Sequence, residues 1–418
     1  MRRCIPSLCG LAAVVAFTAL VGTSPAADWP QWQGADRTNI SKETGLLKSW
    51  PKEGPPLLWT ARDIGGGYCT PSVTLGKVFG MGFRDNDEVV WALDETTGKE
   101  VWSTRIAEKS EGFGYSEGSR GTPTIDGDRL YTLGVNGDLV CLDVAGGSPV
   151  WHKNLKKDFG GGRPGWGYCE SPLIDGDKII CTPGGKKTIV ALNKKTGDVI
   201  WESGIHQGKE NDQAHYSSVV VAEIGGLRQY VQFLKGGVVG VDAADGKFLW
   251  RYNAPANGTA NCSTPIVRGG FVFAASSYGT GGGLAEIVLT DGKWEAKKVY
   301  FDKSMQNHHG GIVLVDGHLF GEGSGRLRCL DFRTGEVAWE SPKPGKGSIT
   351  FADGMLYYRN ESGPMVLVEA STKQYTEKGR FTPPDRSKKN TWPHPVIANG
   401  KLYLRDQDVL HCYDVKQK

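Results

Sequence analysis

The chain of 418 residues has little excess charge of either sign and, beyond its first residues, no apolar run long enough to cross a membrane. Its formal net charge is only +3, and two of those charges, Arg2 and Arg3, lie in a segment that we expect to be removed. A protein that binds phosphate backbones needs a basic stripe, and a membrane-spanning helix needs ~20 apolar residues. We therefore expect no nucleic-acid partner and no transmembrane segment in the mature chain.

The chain also lacks the apolar period of 3.6 residues that is typical of helices. Nine cysteines are present, and seven would remain after loss of Cys4 and Cys9. Seven is an odd number, and their positions do not have the spacing of a disulfide framework. Cys141, Cys329 and Cys412 instead occupy one place in three repeats, which favours small buried residues.

The first residues have the pattern of a secretory signal. Arg2 and Arg3 precede the apolar run at 11–21, and small residues follow at 24–27. We predict a cleaved signal peptide over residues 1–27, an N-terminal extension over 28–56 and one repeat domain over 57–418. The mature protein is then periplasmic or secreted.

One eleven-residue phrase that ends in tryptophan recurs along the chain. Its five good copies cover residues 92–102, 141–151, 191–201, 240–250 and 329–339. A sixth, degenerate copy is expected around residues 290–294. The period of roughly 45 to 50 residues is typical of propellers, solenoids or arrays. The Thr-Gly or Asp-Gly at the centre of the phrase supplies the positive φ of a tight turn between two strands.

A second hairpin pattern precedes each phrase, with Asp-Gly, Gly-Gly or Asn-Gly between short runs of β-branched and aromatic residues. Two hairpins make a four-stranded antiparallel sheet, and eight first hairpins can be counted. The chain ends without a fourth strand in the last repeat, whereas residues 57–63 are a lone outer strand near the start. We predict an all-β, eight-bladed β-propeller whose ring is closed by that N-terminal strand.

The phrase Ala-x-Asp-x-x-Thr-Gly-x-x-x-Trp resembles the tryptophan-docking motif of propellers of the pyrroloquinoline-quinone (PQQ) type, over nearly all of the mature chain. Residues 28–50 also look like the start of PQQ-like repeat proteins of planctomycete-type bacteria. The resemblance implies the fold that quinoprotein dehydrogenases share with the scaffold lipoprotein of outer-membrane assembly. The motif itself is structural and implies no cofactor.

Polar and aromatic residues precede the first strand of most repeats or occupy the loop between the second and third strands. In a propeller these loops share one face, here called the funnel face, and converge on its axis. We predict that a small-molecule ligand or an envelope protein partner binds there. The candidate ligand-binding residues are Arg120, Trp166, Glu170, His215, Tyr216, Asn261, Tyr278, Asn307, His308, His309, Trp392, His394 and Arg405.

Metal chemistry is a separate question. The resemblance to PQQ dehydrogenases implies that Glu170 and Asn261 would hold calcium if PQQ binds, since oxygen ligands suit calcium. The chain departs from those enzymes because it has no adjacent cysteine pair and no convincing Asp between Asn261 and His309. His308 and His309 are neighbours, so on an extended chain their side chains would point to opposite sides. We therefore do not expect both to bind one metal; His309 with His215 or His394 is the alternative.

Three functions remain open. The first is an exported propeller that binds a small-molecule or protein ligand at the funnel face without redox chemistry. The second is a PQQ- and calcium-dependent dehydrogenase of alcohols or sugars; if the chain is an enzyme, it is expected to be this oxidoreductase. The third is a scaffold of the outer-membrane assembly type, which binds partner proteins through its loops.

Overall fold

The computed structural model describes Met1 and residues 27–205, 212–309, 311–342 and 345–418. The predicted signal peptide thus lies almost wholly outside the described residues. Every regular element in the described ranges is a β-strand. None of these ranges contains a helix long and apolar enough to cross a membrane.

The strands form eight antiparallel sheets, which are the blades of a propeller. Blade 1 consists of β3 (Ser72–Thr74), β4 (Lys77–Arg84), β5 (Asp87–Asp94) and β6 (Glu100–Glu108), and blade 2 of β7 (Thr124–Asp126), β8 (Arg129–Leu133), β9 (Asp138–Asp143) and β10 (Pro149–Asn154). Blade 3 consists of β11 (Leu173–Asp175), β12 (Lys178–Cys181), β13 (Ile189–Asn193) and β14 (Val199–Ser203), and blade 4 of β15 (Val220–Ile224), β16 (Leu227–Leu234), β17 (Gly237–Asp242) and β18 (Phe248–Tyr252). Blade 5 consists of β19 (Ile266–Arg268), β20 (Phe271–Ser276), β21 (Gly281–Thr290) and β22 (Lys293–Asp302), and blade 6 of β23 (Ile312–Val315), β24 (His318–Gly323), β25 (Arg326–Asp331) and β26 (Val337–Glu340). Blade 7 consists of β27 (Gly347–Ala352), β28 (Met355–Asn360), β29 (Met365–Glu369) and β30 (Glu377–Phe381), and blade 8 of β31 (Val396–Ala398), β32 (Lys401–Asp406), β33 (Val409–Asp414) and β2 (Leu57–Ala61). Blade 7 has a fifth strand, β1 (Ile40–Ser41), beside its first strand.

Burial along each blade explains the sequence pattern. The middle strands β4 and β5 are buried at every interior position, because a neighbouring blade covers each face of the sheet. Their residues are therefore continuous apolar runs rather than alternating ones. The outer strand β6 alternates between exposed and partly buried residues, as a strand at the perimeter should.

The ring closes as predicted. β2 pairs antiparallel with β33 and places Trp59 opposite Cys412, the same pairing that Trp151 and Cys141 make within blade 2. The N-terminal outer strand thus completes blade 8. The predicted fold class, an eight-bladed propeller of four-stranded antiparallel blades, is confirmed.

In four of the five good phrases the terminal tryptophan covers the turn of the next blade: Trp102, Trp151, Trp201 and Trp339. Trp102 Nε1 donates a hydrogen bond to Val144 O at 3.0 Å, and its ring covers Gly147 in the turn of blade 2. A Cβ added to Gly147 would lie 2.5 Å from that ring, and the residue has a φ of +74°. Glycine is therefore required twice here, by the backbone conformation and by the close approach of the ring.

Three blades depart from this pattern. In blade 4 the ring of Trp250 lies over Gly240 of its own blade, and its Nε1 donates to Gln229 Oε1 at 2.7 Å. In blade 5, the residue that covers the next turn is Tyr300 and not Trp294, because the β21–β22 hairpin is longer than the others; Tyr300 Oη donates to Phe332 O at 3.1 Å. The degenerate copy predicted around residues 290–294 lies at the turn of this hairpin, but Tyr300 was not predicted. In blade 7 the equivalent position is Gly379, and Trp50 of the N-terminal extension packs into the space above it.

The N-terminal extension also crosses the central channel. Arg37 is buried and donates hydrogen bonds to Val219 O at 2.9 Å and to Ser171 O at 3.1 Å, on blades 4 and 3. Asn39 donates to Ile349 O at 2.6 Å on blade 7, on the other side of the ring. The extension therefore fills part of the channel. One cavity remains at the funnel face, and another lies beside the extension against the first strands of blades 4 to 6.

Candidate functional site

A cavity of about 170 Å³ lies on the propeller axis at the funnel face, and we call it the axial cavity. Its walls come from loops that precede first strands and from turns between second and third strands. It is lined by Trp32, Tyr68, Thr70, Tyr115, Arg120, Trp166, Cys169, Tyr216, Ser218, Ala260, Cys262, Tyr278, His308, His309 and Trp392. Seven of the thirteen candidate residues line it, namely Arg120, Trp166, Tyr216, Tyr278, His308, His309 and Trp392.

The floor of the cavity includes Trp32, which belongs to the N-terminal extension and was not among the candidates. Its indole Nε1 donates to Thr264 Oγ1 at 2.9 Å, and its ring lies 4.5 Å from the ring of His394. His394 is held in turn by Asn39, whose Nδ2 lies 2.9 Å from His394 Nδ1. No repeat contains a counterpart of Trp32, so periodicity carried no signal for it.

Aromatic rings form most of the wall. Trp392 lies at the centre of one group, with ring centroids 4.6 Å from Tyr68 and 4.7 Å from Tyr115. On another part of the wall, the rings of Trp166 and Tyr216 are 5.2 Å apart. Tyr115 is 49% exposed and Tyr278, in the β20–β21 turn, is 51% exposed. The aromatic surface thus continues from the cavity out to solvent.

Arg120 brings positive charge to this apolar wall. Its guanidinium carbon lies 5.0 Å from the Tyr68 ring and 5.6 Å from the Phe113 ring, within the range of a cation–π contact. Its Nη2 donates to Gly114 O at 2.8 Å and to Tyr115 O. Among the described residues no carboxylate forms an ion pair with Arg120, so its charge is balanced only by carbonyls and rings.

The other six candidates are buried around the cavity rather than exposed to it: Glu170, His215, Asn261, Asn307, His394 and Arg405. Arg405 donates to the carbonyl oxygens of Gly65 and Met81, each at 2.8 Å. His215 Nδ1 accepts the backbone N–H of Asn261 at 3.0 Å, and burial lowers the pKa of His215 to about 4. These groups hold the funnel loops in position.

Glu170 and Asn261 form a poor donor set for calcium. The Glu170 carboxylate accepts hydrogen bonds from Thr182 N at 2.7 Å and from Gln232 Nε2 at 3.2 Å, and burial raises its pKa to about 7. Asn261 Oδ1 accepts the N–H of Asn257 at 2.9 Å. Calcium takes six to eight oxygen ligands, whereas neither residue lines the cavity. The residues present therefore do not fit the calcium–quinone pair that the resemblance implies.

A second donor cluster lies in the cavity wall. His308 and His309 precede β23, and Glu361 lies in the turn between β28 and β29. The chain bends at the two histidines, so their rings are 5.1 Å apart, and the expectation that they point to opposite sides is wrong. One ring nitrogen of each and a carboxylate oxygen of Glu361 all lie within 4.8 Å of one another.

Hydrogen bonds tie this cluster to the aromatic wall. His309 Nε2 lies 3.2 Å from Glu361 Oε2, which also accepts Trp392 Nε1 at 3.1 Å, while His308 Nε2 lies 2.8 Å from Tyr278 Oη. The hydrogen bond with His309 holds the pKa of Glu361 at about 2. Burial and the neighbouring His309 lower the pKa of His308 to about 4. Glu361 was not a candidate, although its turn is equivalent to that of Tyr278.

Comparisons with known sequences agree on one family. A sequence model of the family described as outer membrane protein assembly factor BamB matches residues 86–341. The protein of that name from Shewanella oneidensis is 23% identical over 375 residues, which cover 84% of this chain and 86% of that protein. Its counterpart from Kangiella koreensis is 27% identical over 194 residues, 45% of this chain and 43% of that protein.

Solved structures give the same fold. BamB from Moraxella catarrhalis matches with a TM-score of 0.61 at 16% identity, covering 87% of this chain and 98% of that chain. Quinohemoprotein alcohol dehydrogenase from Comamonas testosteroni matches with a TM-score of 0.67 at 14% identity, covering 95% and 82%. Such identities concern the fold alone, and the two named proteins show that this fold does not fix one function.

Proposed function

Because this chain belongs to the PQQ-like propeller family described as outer membrane protein assembly factor BamB, we propose that it is a scaffold of the bacterial cell envelope that binds a partner protein at its funnel face. Family membership supports the envelope location and the assembly role. The observation that carries the docking face is the aromatic wall of the axial cavity, which continues outward into the exposed rings of Tyr115 and Tyr278.

The size of the cavity favours a side chain over a whole ligand. Sites that enclose a small molecule usually measure ~300–1,000 Å³, whereas an apolar cavity of ~150 Å³ holds a single benzene ring. At about 170 Å³ the axial cavity matches one ring-sized group. A protein that presents an aromatic or large aliphatic side chain on a loop supplies such a group and covers the surrounding surface as well.

The composition of the wall is that of an interface hot spot. Tryptophan, tyrosine and arginine dominate the energetics of protein–protein binding, and they do so where neighbouring contacts exclude water. Trp392, Trp166, Tyr216 and Arg120 provide these residue types around one depression. Because Arg120 lacks a carboxylate partner among the described residues, an acidic group next to the inserted side chain would complete the contact.

Site-specific photo-crosslinking in the native envelope tests the proposal. A photoreactive amino acid replaces Tyr278 or Tyr115 on the funnel face, and Leu75 serves as the matched control. Leu75 is 54% exposed and lies in the β3–β4 turn, which the strand order places on the opposite face. We expect both funnel positions to crosslink to the same envelope protein, identified by mass spectrometry, and Leu75 not to do so.

The outcome separates the alternatives. A crosslinked component of outer-membrane assembly supports the scaffold function, and an unrelated envelope protein would refute the assembly role while keeping the docking face. Equal crosslinking from Leu75, or none from either tyrosine in cells with normal protein levels, would refute the docking face.

A further inference from the structure

We propose that His308, His309 and Glu361 bind a divalent transition metal ion of the zinc class in the wall of the axial cavity, with one coordination position open to the cavity. The inference rests on the cluster itself and does not depend on the docking function.

The donor set points to this class of metal. Imidazole nitrogens suit zinc, copper, nickel and iron, whereas calcium and magnesium prefer oxygen ligands throughout. Two histidines and one glutamate are the protein ligands of several zinc sites in which a water or a substrate takes the fourth position. Because all three residues line the cavity or adjoin its wall, the fourth position faces the space that a partner group would enter.

The geometry is close to that of a bound site. With metal–ligand bonds of ~2.0–2.1 Å, tetrahedral donor atoms lie roughly 3.3 Å from one another. His309 Nε2 and Glu361 Oε2 are already 3.2 Å apart. The full cluster falls within 4.8 Å, so the His308 ring needs a shift of roughly 1–2 Å to complete the set.

Buried nitrogens without partners accompany the cluster and are consistent with a bound ion. Nδ1 of His308 and Nδ1 of His309 are both buried and have no hydrogen-bond partner among the residues that the structure describes. Buried polar side-chain atoms are nearly always bonded, so two such nitrogens on neighbouring rings require a cause. A metal ion bound by Nδ1 of His308 and by Nε2 of His309 satisfies the first of these nitrogens and leaves Nδ1 of His309 to an outer partner.

An outer partner is also at hand. Histidines that bind metals usually donate their second ring N–H to a carboxylate or carbonyl. Glu322 carries a buried Oε2 without a partner, and it is close enough to His309 for their charges to interact. The simpler interpretation is that His309 and Glu361 only orient Trp392. That interpretation gives Nδ1 of His308 no partner among the described residues and predicts no metal affinity.

The test measures binding of Zn²⁺ and Co²⁺ to the purified protein, carrying no histidine tag, by equilibrium dialysis and by the visible spectrum of Co²⁺. We expect one ion per chain. Substitution of a residue that only supports a metal ligand weakens metal binding by ~10- to 100-fold. His309→Asn and Glu361→Gln each remove a direct ligand, so each should weaken metal binding by more than that. His318→Asn is the matched control, since His318 lies in the neighbouring β24 and binds only its own turn through Asp316 O. It should bind metal as the parent protein does.

Circular dichroism in metal-free buffer checks that each variant is folded. Glu361→Gln keeps the shape of the glutamate side chain, so it remains informative if His309→Asn disturbs the wall of the axial cavity. Saturable binding that both variants lose establishes the site. Absence of saturable binding by the folded parent protein would refute the proposal, as would binding that survives in both variants or disappears only with His318→Asn.

Discussion

The perimeter of the propeller and its axis follow opposite rules. At the perimeter one contact is repeated from blade to blade, in which an aromatic ring covers a turn glycine of the next blade. The pairs are Trp59–Gly98, Trp102–Gly147, Trp151–Gly197, Trp201–Gly246 and Tyr300–Gly335. The wall of the axial cavity has no such uniform contact: side chains of seven blades and of the N-terminal extension line it, and no residue type occupies one position in all of them. Repetition therefore marks what holds the ring together, and its absence marks what the ring presents to other molecules.

The difference also concerns burial. Trp201 and Trp250 at the perimeter are 8% and 1% exposed, whereas Tyr278 at the mouth of the cavity is 51% exposed. Burial of a large aromatic side chain stabilises the fold by several kcal/mol. An exposed ring instead contributes to the free energy of binding, when a partner covers it. Stability and binding should therefore be separable by substitution.

The largest effect is expected from Trp201→Ala. Removal of this buried ring leaves a cavity between blades 3 and 4 and should lower the free energy of unfolding by ~3–5 kcal/mol. Trp392→Ala, on the half-buried wall of the cavity, should cost less than about half as much. Chemical denaturation of both variants measures the difference. Equal losses would erase the distinction between perimeter and axis.

Trp50→Ala tests whether the N-terminal extension belongs to the perimeter. Trp50 is 7% exposed and packs with Tyr357 and Phe381 between blades 7 and 8, where Gly379 leaves space for it. We expect a loss of ~3 kcal/mol. Hydrogen exchange should become faster in β30 and β33, while strands of blades 2 and 3 keep their protection. Uniform protection in the variant would mean that the extension only covers the surface.

The funnel loops should show their own dependence on pH. Burial lowers the pKa of His215 to about 4, so between pH 6.5 and 4 the unfolded chain binds more protons at this residue than the folded chain. Its contribution to stability is full above pH 6.5 and falls by roughly 2–3 kcal/mol as the pH approaches 4. His215→Gln should flatten that part of the profile, measured by denaturation at several pH values.

The smallest effect on stability is expected from Tyr278→Ala. This ring is half exposed and bonds only to His308 among the described contacts, so the free energy of unfolding should change by no more than about 0.5 kcal/mol. The same substitution removes part of the docking surface. A melting temperature lowered as far as that of Trp201→Ala would show that the mouth of the cavity is part of the scaffold.

The fold could be predicted because its contacts repeat. The Thr-Gly turn and the terminal tryptophan meet in blade after blade, so the period, the blade count and the closure by β2 followed from residue spacing. Trp50 was missed because it fills a gap in blade 7 from a position more than 300 residues earlier. Tyr300 was missed because the longer β21–β22 hairpin moved the docking position six residues beyond Trp294.

The cavity could be predicted only in part. Propeller geometry places a residue near the axis but does not decide whether its side chain enters the cavity or packs between loops. Arg120 stands four residues before its first strand and lines the cavity, whereas Glu170 stands three residues before its own and is buried behind it. Trp32 and the bend that brings His308 and His309 together depend on contacts between distant segments, which spacing does not express.

The most direct test of the docking face compares crosslinking from position 278 in the parent protein and in Trp392→Ala. Trp392 forms the centre of the aromatic wall, so its removal should reduce the yield of the crosslinked partner at least tenfold while the protein stays folded and exported. An unchanged yield in the folded variant would contradict the account, because the partner would then bind without using the axial cavity.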